Sequence, residues 1–130
     1  MNKPLVHIYW PVDETGNSHS RLEKHGIELL ITDQGRENGI EKTKKTRQKI
    51  DPRAICAAGI ASQSLIVDEE SLSAAKSLRL IAKYTVGYDN VNVEAASKNG
   101  VLVVHSPTES NWGGVAEGTM AYMLTLLKKV

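Results

Sequence analysis

Residues 78–130 read LRLIAKYTVGYDNVNVEAASKNGVLVVHSPTESNWGGVAEGTMAYMLTLLKKV. Two short apolar runs in this stretch, Leu78–Ala82 and Val101–Val104, have the length of buried parallel strands, and the second is continuous and rich in β-branched residues. A helix is predicted between them at Val93–Lys98, because Gly100 follows at a position where helices commonly end. A strand, a glycine turn, a helix and a second strand in this order indicate a parallel α/β fold.

The remainder of the chain continues the alternation of strands and helices. Further strands are predicted at Leu5–Trp10, Ile27–Ile31 and Arg53–Gly59. Helices are predicted at Arg21–His25, Asp68–Lys76 and Gly114–Lys129, and Glu37–Lys49 is predicted as a polar helix or a helix followed by a loop. Parallel neighbours need crossover connections, so the pattern predicts an α/β, doubly wound five-stranded parallel sheet. The connection lengths favour the flavodoxin-like strand order 2-1-3-4-5, with a long helix at the C-terminal end of the chain.

Composition limits the classes of function. The 130 residues suit a single domain, and 16 basic against 15 acidic residues give a net charge of +1. This balance favours neither a nucleic-acid partner nor a membrane surface. Cys56 is the single cysteine, which excludes an intrachain disulfide, and no apolar run approaches the length of a membrane span or a signal peptide. A cytoplasmic location is therefore expected.

Ligands of doubly wound sheets bind beyond the carboxyl ends of the strands. The loops predicted at that edge are Pro11–Ser20, Ile60–Leu65, Tyr84–Asn90 and His105–Gly114. A functional site is expected among these loops, and no cluster of residues with metal-ligand spacing is found in them.

Two of these loops carry a family resemblance. Residues 86–96, V-G-Y-D-N-V-N-V-E-A-A, resemble the V-G-x-D-N-I-D-x-x-A-A signature of the D-isomer-specific 2-hydroxyacid dehydrogenases. The similarity continues through residues 99–103, N-G-V-L-V, and through Ser106-Pro107, Asn111 and Val115-Ala116-Glu117. Several short motifs in register over about forty residues are far more specific than a lone glycine pattern. The first half of the chain agrees in its pattern of elements only.

The resemblance implies a role for particular residues. Members of the family interconvert D-2-hydroxy acids and 2-oxo acids with NAD or NADP, and one of their two domains binds the substrate. The backbone amides of Val86 and Gly87 are then expected to hold the substrate carboxylate, since successive N–H groups in a turn form an anion-binding concavity. Ser62 and Gln63 are expected to add substrate contacts, and Thr119 is expected beside the nicotinamide. The alternative for Gly87 is that it only permits a positive φ in a tight turn.

The sequence departs from the family pattern at its C-terminal end. No G-x-G-x-x-G motif occurs in the 130 residues, and the family's catalytic Arg, Glu and His match no position. Residues 1–130 are therefore interpreted as a substrate-binding domain that ends in an inter-domain helix at about 114–129, without its nucleotide-binding domain. No turnover and no tightly bound cofactor are expected of it. The exposed face of the helix is expected to meet that domain or a second copy of the chain.

Other polar residues receive structural interpretations. Asp89 or Asn90 is expected to cap the following helix, because short polar side chains accept backbone N–H bonds there. Glu117 is expected to complement the dipole of the last helix. Each of the four histidines (His7, His19, His25 and His105) is interpreted as a surface or packing residue.

Two alternative functions stay open at the level of sequence. A stand-alone FMN-binding flavodoxin is suggested by residues 15–18, T-G-N-S, after the first strand, although Asp13 and Glu14 would repel a phosphate. A regulatory receiver domain is the second. It is disfavoured because its third strand would end in an aspartate, whereas this strand ends in Ala58-Gly59.

Overall fold

The computed structural model of the chain describes residues 3–9, 13–32, 46–47, 49–60 and 65–129. In chain order its elements are β1 (Leu5–Ile8), α1 (Asn17–Lys24), β2 (Glu28–Ile31), β3 (Thr46–Arg47), β4 (Ala54–Ala58), β5 (Leu65–Ile66), α2 (Glu69–Ala74), β6 (Leu80–Ala82), α3 (Val93–Lys98), β7 (Leu102–Val104) and α4 (Glu109–Lys128).

Five strands form one parallel sheet in the order β2-β1-β4-β6-β7. Counted along the chain within this sheet, the order is 2-1-3-4-5, so the predicted fold class is confirmed. The carboxyl ends of β1, β4, β6 and β7 thereby lie along one edge. β1 is an interior strand, and its alternating side chains contribute to two cores: Leu5 belongs to one cluster, whereas Val6 and Ile8 belong to the other.

The larger core lies beneath α2 and α3. Its fully buried members include Ile81 at the centre of β6, Leu72 of α2 and Ala96 of α3. Small side chains such as Ser71 of α2 and Ala95 of α3 are buried on the helices, and Leu5 of β1 and Ile81 of β6 are the large buried side chains of the strands in this core. The core holds β6 in place, and β6 positions the loop in which the sequence predicts a site.

β3 and β5 pair with each other in a separate two-stranded parallel sheet. This pairing corrects two predictions at the residues involved. Thr46 and Arg47 lie in a strand, not in the helix or loop predicted at Glu37–Lys49, and Leu65–Ile66 lie in a strand, not in a loop. The partner strand is distant in sequence, so no local pattern announces the pairing. The rest of that predicted segment, residues 37–45 and 48, lies outside the described residues.

The predicted cap of α3 is wrong. The side chain of Asn92 accepts the N–H of Ala95 at 2.9 Å and caps the helix, whereas Asp89 and Asn90 do not. Asn90 is buried and its side-chain oxygen has another partner, described below. Asn92 is the cap because the helix begins at the next residue, so the Asn92 side chain lies within reach of the free N–H groups of the first turn.

Two helices begin earlier than predicted. α1 starts at Asn17 because the carboxylate of Asp13 accepts the N–H of Ser18 at 2.6 Å and Gly16 adopts a left-handed conformation with φ of 70°. α4 starts at Glu109 and runs through Gly113 and Gly114. A glycine pair costs a helix some stability but does not break it, so the loop before α4 is shorter than expected.

α4 exposes its apolar side chains along its length. Val115 is 64% exposed, Leu126 78% and Leu127 75%. Such a surface is unusual for a helix that packs only on its own domain. None of the helices in the described part of the chain is long and apolar enough to cross a lipid bilayer.

Candidate functional site

The loops that follow the neighbouring strands β4, β6 and β7 lie at the same edge of the sheet. Hydrogen bonds join their exits: Gly59 N–H donates to the carbonyl of Ala82 at 2.9 Å, and Lys83 N–H donates to the carbonyl of Val104 at 2.9 Å. One step further out, Ser106 N–H donates to the carbonyl of Thr85 at 3.2 Å. The backbone that follows β6 is therefore fixed on both sides before it reaches the glycine turn.

The Val86–Gly87 turn lies just beyond this junction, outside the sheet ladder and half-buried. Its carbonyl oxygens are occupied. Val86 O accepts from Nδ1 of His105 at 2.8 Å, and Gly87 O accepts from Oγ1 of Thr85 at 3.1 Å. Its amides are not: within the described residues, neither the Val86 nor the Gly87 N–H has an acceptor. Two adjacent free donors with their carbonyls turned to other partners form a small anion-binding surface.

Gly87 does not have the left-handed conformation that the alternative interpretation requires. Positive φ angles are found at Gly16, Gly26, Gly59 and Gly100 among the described glycines, and not at Gly87. The interpretation that Gly87 serves only to permit a positive φ is therefore wrong. The absence of a side chain is better explained by access to the amides, because a glycine leaves room for a ligand to approach the backbone.

His105 is a functional candidate that the sequence interpretation missed. A carbonyl oxygen only accepts hydrogen bonds, so the contact with Val86 O places the proton on Nδ1. The same peptide unit carries the N–H of Gly87 at its other end. A hydrogen bond to the carbonyl polarises that peptide and makes its N–H a stronger donor. The exposed ring also meets Tyr88 edge to face, with 5.2 Å between ring centroids. The available signal was its position directly after the last strand, at the ligand edge.

Lys83 and Asn90 form a buried polar pair behind the turn. Only 2% of Lys83 and 4% of Asn90 is exposed. The Lys83 ammonium donates to the carbonyl of Ile60 at 2.6 Å and to Oδ1 of Asn90 at 2.7 Å. Burial lowers the pKa of Lys83 below its usual value, and the nearby charge of Asp89 opposes that shift. Sequence reasoning overlooked Lys83 because it directly follows an apolar strand and belongs to no predicted cluster.

Among the described residues, the predicted site residue Thr119 is not joined to this turn. Thr119 is exposed on α4, and its hydroxyl donates to the carbonyl of Val115 one turn earlier, at 2.8 Å. Within the described residues no contact links Thr119 to Val86 or Gly87. Ser62 and Gln63 lie outside the described residues.

In the loop suggested for a flavin phosphate, the Asp13 carboxylate accepts hydrogen bonds from the groups that would bind the phosphate. Asp13 accepts from the hydroxyl of Thr15 at 2.6 Å, from the N–H of Thr15 at 3.0 Å and from the N–H of Ser18 at 2.6 Å. The Thr15 hydroxyl bond, followed by the bonds from Ser18, holds the pKa of Asp13 far below its ordinary range. A permanently ionised carboxylate that already uses the loop donors disfavours a phosphate ligand there.

Two clefts lie on other parts of the described domain. One of about 340 Å³ lies between α1 and Ile27, and one of about 490 Å³ lies at the amino ends of the strands near Leu5 and Arg53. Neither of these two clefts is lined by Val86 or Gly87. In the described part of the chain, no three His, Cys, Asp or Glu side chains are grouped closely enough to hold a metal ion.

Comparison with known proteins gives a consistent result. The family model described as D-isomer specific 2-hydroxyacid dehydrogenase, catalytic domain, matches residues 12–121. A D-3-phosphoglycerate dehydrogenase of Archaeoglobus fulgidus is 34% identical over 92% of this chain and 20% of its own length. A glyoxylate reductase of Korarchaeum cryptofilum is 30% identical over 96% of this chain and 33% of its own length.

A solved structure shows the same likeness in three dimensions. The D-lactate dehydrogenase of Aquifex aeolicus, complexed with NAD and lactic acid, superposes with a TM-score of 0.60 at 25% identity. The superposition covers 94% of this chain and 33% of the other. The chain thus spans a third or less of the length of these similar proteins.

Proposed function

The chain belongs to the D-isomer specific 2-hydroxyacid dehydrogenase family, whose members are oxidoreductases, and we propose that it binds the carboxylate of a small 2-hydroxy or 2-oxo acid at the Val86–Gly87 turn. In this proposal residues 1–130 are the substrate-binding domain of such an enzyme. The proposal depends chiefly on one observation: two adjacent N–H groups, half-buried and without acceptors in the described structure, point to an anion as their partner.

The environment of the turn suits a carboxylate better than a neutral ligand. His105 donates to the carbonyl of the same peptide that offers the Gly87 N–H, and the Lys83 ammonium lies behind the loop. Backbone amides provide donors with no competing acceptor and lose no side-chain entropy on binding. Ser62 and Gln63, in the loop that follows β4, are proposed to contact the rest of the acid.

NAD or NADP is the cofactor that the family implies. The 130 residues contain no dinucleotide fingerprint, and among the described residues the Thr119 hydroxyl, proposed to lie beside the nicotinamide, donates to a carbonyl of its own helix. We therefore propose that the chain binds and orients the acid, and that the hydride carrier is held elsewhere in the working enzyme. Residues 1–130 alone are expected to give no NADH oxidation with a panel of 2-oxo acids. Saturable, protein-dependent oxidation would contradict this.

The exposed apolar face of α4 is proposed to contact another protein surface. The family architecture offers two candidates, a nucleotide-binding domain and a second copy of the chain. Sedimentation velocity of the purified chain over a hundredfold concentration range separates them. A monomer that does not associate argues against the second copy, and a dimer that is weakened by Leu126→Ser and Leu127→Ser supports it.

An NMR titration tests carboxylate binding directly. The ¹⁵N-labelled chain is titrated with sodium D-lactate, and the neutral D-lactamide and sodium chloride serve as matched controls. We expect the Val86 and Gly87 amide protons to shift downfield and to saturate with D-lactate only, because lactamide has the same shape without the charge. Equal shifts with lactamide, or shifts confined to other residues, would refute the assignment of the turn.

A further inference from the structure

The turn is held in place by a buried cation. We propose that Lys83 is a positioning residue for carboxylate binding: its ammonium joins the exit of β4 to the 84–90 loop and so fixes the Val86 and Gly87 amides in their binding geometry. This inference rests on the proposed function of the turn, which it deepens by naming the group that orients it.

The two hydrogen bonds of Lys83 reach different parts of the chain. Ile60, 23 residues upstream, belongs to the backbone that leaves β4, and Asn90, 7 residues downstream, closes the loop that contains the turn. Both bonds are short, at 2.6 and 2.7 Å, as expected for a charged donor. The lysine therefore connects both ends of the site, with the turn between them.

Asn90 extends the connection to a third segment. Its carbonyl accepts the N–H of Val67 at 2.8 Å, and Val67 forms an isolated parallel bridge with Val91. The segments on either side of residues 61–64, at Ile60 and at Val67, are thereby tied to the same pair, Lys83 and Asn90. We therefore expect a change in the Lys83–Asn90 contact to affect the backbone at Ile60 and at Val67 as well as the 84–90 loop.

The charge of Lys83 gives it a second effect on the same ligand. Its two described acceptors are neutral, and no carboxylate of the described residues lies within salt-bridge distance of it. The charge of Asp89 acts on the Lys83 ammonium without forming an ion pair, so the positive charge is only partly compensated in a medium of low dielectric constant. That charge favours an anion at the neighbouring turn over a neutral ligand of the same shape.

The test combines D-lactate affinity, loop motion and stability. Lys83→Met removes the cation and both bonds, Asn90→Ala removes one acceptor, and Lys83→Arg keeps the charge. We expect Lys83→Met to weaken D-lactate binding by about tenfold, as for loss of charged hydrogen bonds, with partial recovery in Lys83→Arg. Asn90→Ala should weaken it less, and the double variant Lys83→Met/Asn90→Ala should bind no more weakly than Lys83→Met, because the Lys83–Asn90 contact is already lost in Lys83→Met.

Matched controls separate positioning from general damage. Lys98→Met removes an equal charge from an exposed site on α3, where Lys98 pairs with Glu94. Gly100→Ala lowers stability at a positive φ of 68°, remote from the turn in the loop before β7. Both are expected to leave D-lactate affinity unchanged. Wild-type affinity in Lys83→Met, or fully additive effects of Lys83→Met and Asn90→Ala, would overturn the inference.

Two measurements keep the outcome clear. ¹⁵N relaxation without ligand should show greater nanosecond motion of the Val86 and Gly87 amides in Asn90→Ala and Lys83→Met than in either control. If D-lactate does not shift the wild-type Val86 and Gly87 amides while their motion still increases in Asn90→Ala and Lys83→Met, the proposed carboxylate site is wrong but the positioning role of Lys83 is supported. If Lys83→Met does not fold, the NMR resonance of the Lys83 ammonium (Nζ) is followed in the wild-type protein instead. A shift of this resonance on addition of D-lactate supports the inference, and an unchanged resonance refutes it.

Discussion

Replacement of His105 by phenylalanine tests whether side-chain support of the turn matters for binding. The phenyl ring keeps the shape of the imidazole and its edge contact with Tyr88, but it loses the Nδ1 donor that lies 2.8 Å from the Val86 carbonyl. The Gly87 N–H, which shares that peptide, becomes a weaker donor to a carboxylate.

The size of the effect follows from the type of bond. A neutral hydrogen bond contributes a net free energy of about 0.5–1.5 kcal/mol. Because His105 is exposed, the lower half of that range applies, and D-lactate affinity should fall about two- to fivefold. The dissociation constant is read from the amide shifts of Val86 and Gly87 in the NMR titration, with thermal unfolding followed in parallel.

His25→Phe is the matched control. His25 is also exposed, and its Nδ1 lies 3.1 Å from a backbone carbonyl, that of Arg21, at the end of α1. It should change stability to a similar small extent and leave D-lactate affinity unaltered. If His105→Phe binds D-lactate as tightly as the wild type, the reasoning about a polarised peptide fails.

Three further predictions concern the scaffold. Asn92→Ala should lower the free energy of unfolding by about 1 kcal/mol, measured by urea denaturation, because the α3 cap is lost; Asp89→Ala should not, and a loss of the same size there would contradict the cap assignment. Burial raises the pKa of Cys56 to about 11 from 9.0, so its reaction with a disulfide reagent at pH 8 should be about 100-fold slower than in the unfolded chain; similar rates in both states would refute this. Burial lowers the pKa of His7 below 6.5, with the charge of Asp51 opposing the shift, so the unfolded state binds more protons as the pH falls. The stability contributed by neutral His7 should be complete above pH 6.5 and decline below it; His7→Phe should flatten the dependence of unfolding free energy on pH between 6.5 and 5, and an unchanged slope would contradict the assignment.

The sequence predicted the sheet well and the helix ends less well. Continuous apolar runs identify β6 and β7, as is typical of parallel strands. The edge strand β7 nevertheless leaves Leu102 and Val104 exposed, which the apolar run did not predict. Helix starts depend on which side chain reaches the first free N–H groups, and several nearby polar residues compete for that role. The sequence predicted Asp89 or Asn90 as the cap of α3, but the cap is Asn92. The side chain of Asn90 is buried and accepts a hydrogen bond from Lys83, a contact that the local sequence pattern does not reveal.

The sequence by itself determined the α/β order of elements, the family and the position of the Val86–Gly87 turn, because these depend on local periodicity and on a contiguous motif. The tertiary structure decided what surrounds the turn. His105 lies 19 residues from Val86, and Lys83 lies 23 residues from Ile60, yet both pairs are in hydrogen-bond contact. The parallel sheet places the carboxyl ends of their strands along a common edge. The His105 and Lys83 donors can therefore reach these acceptors only after the sheet has formed.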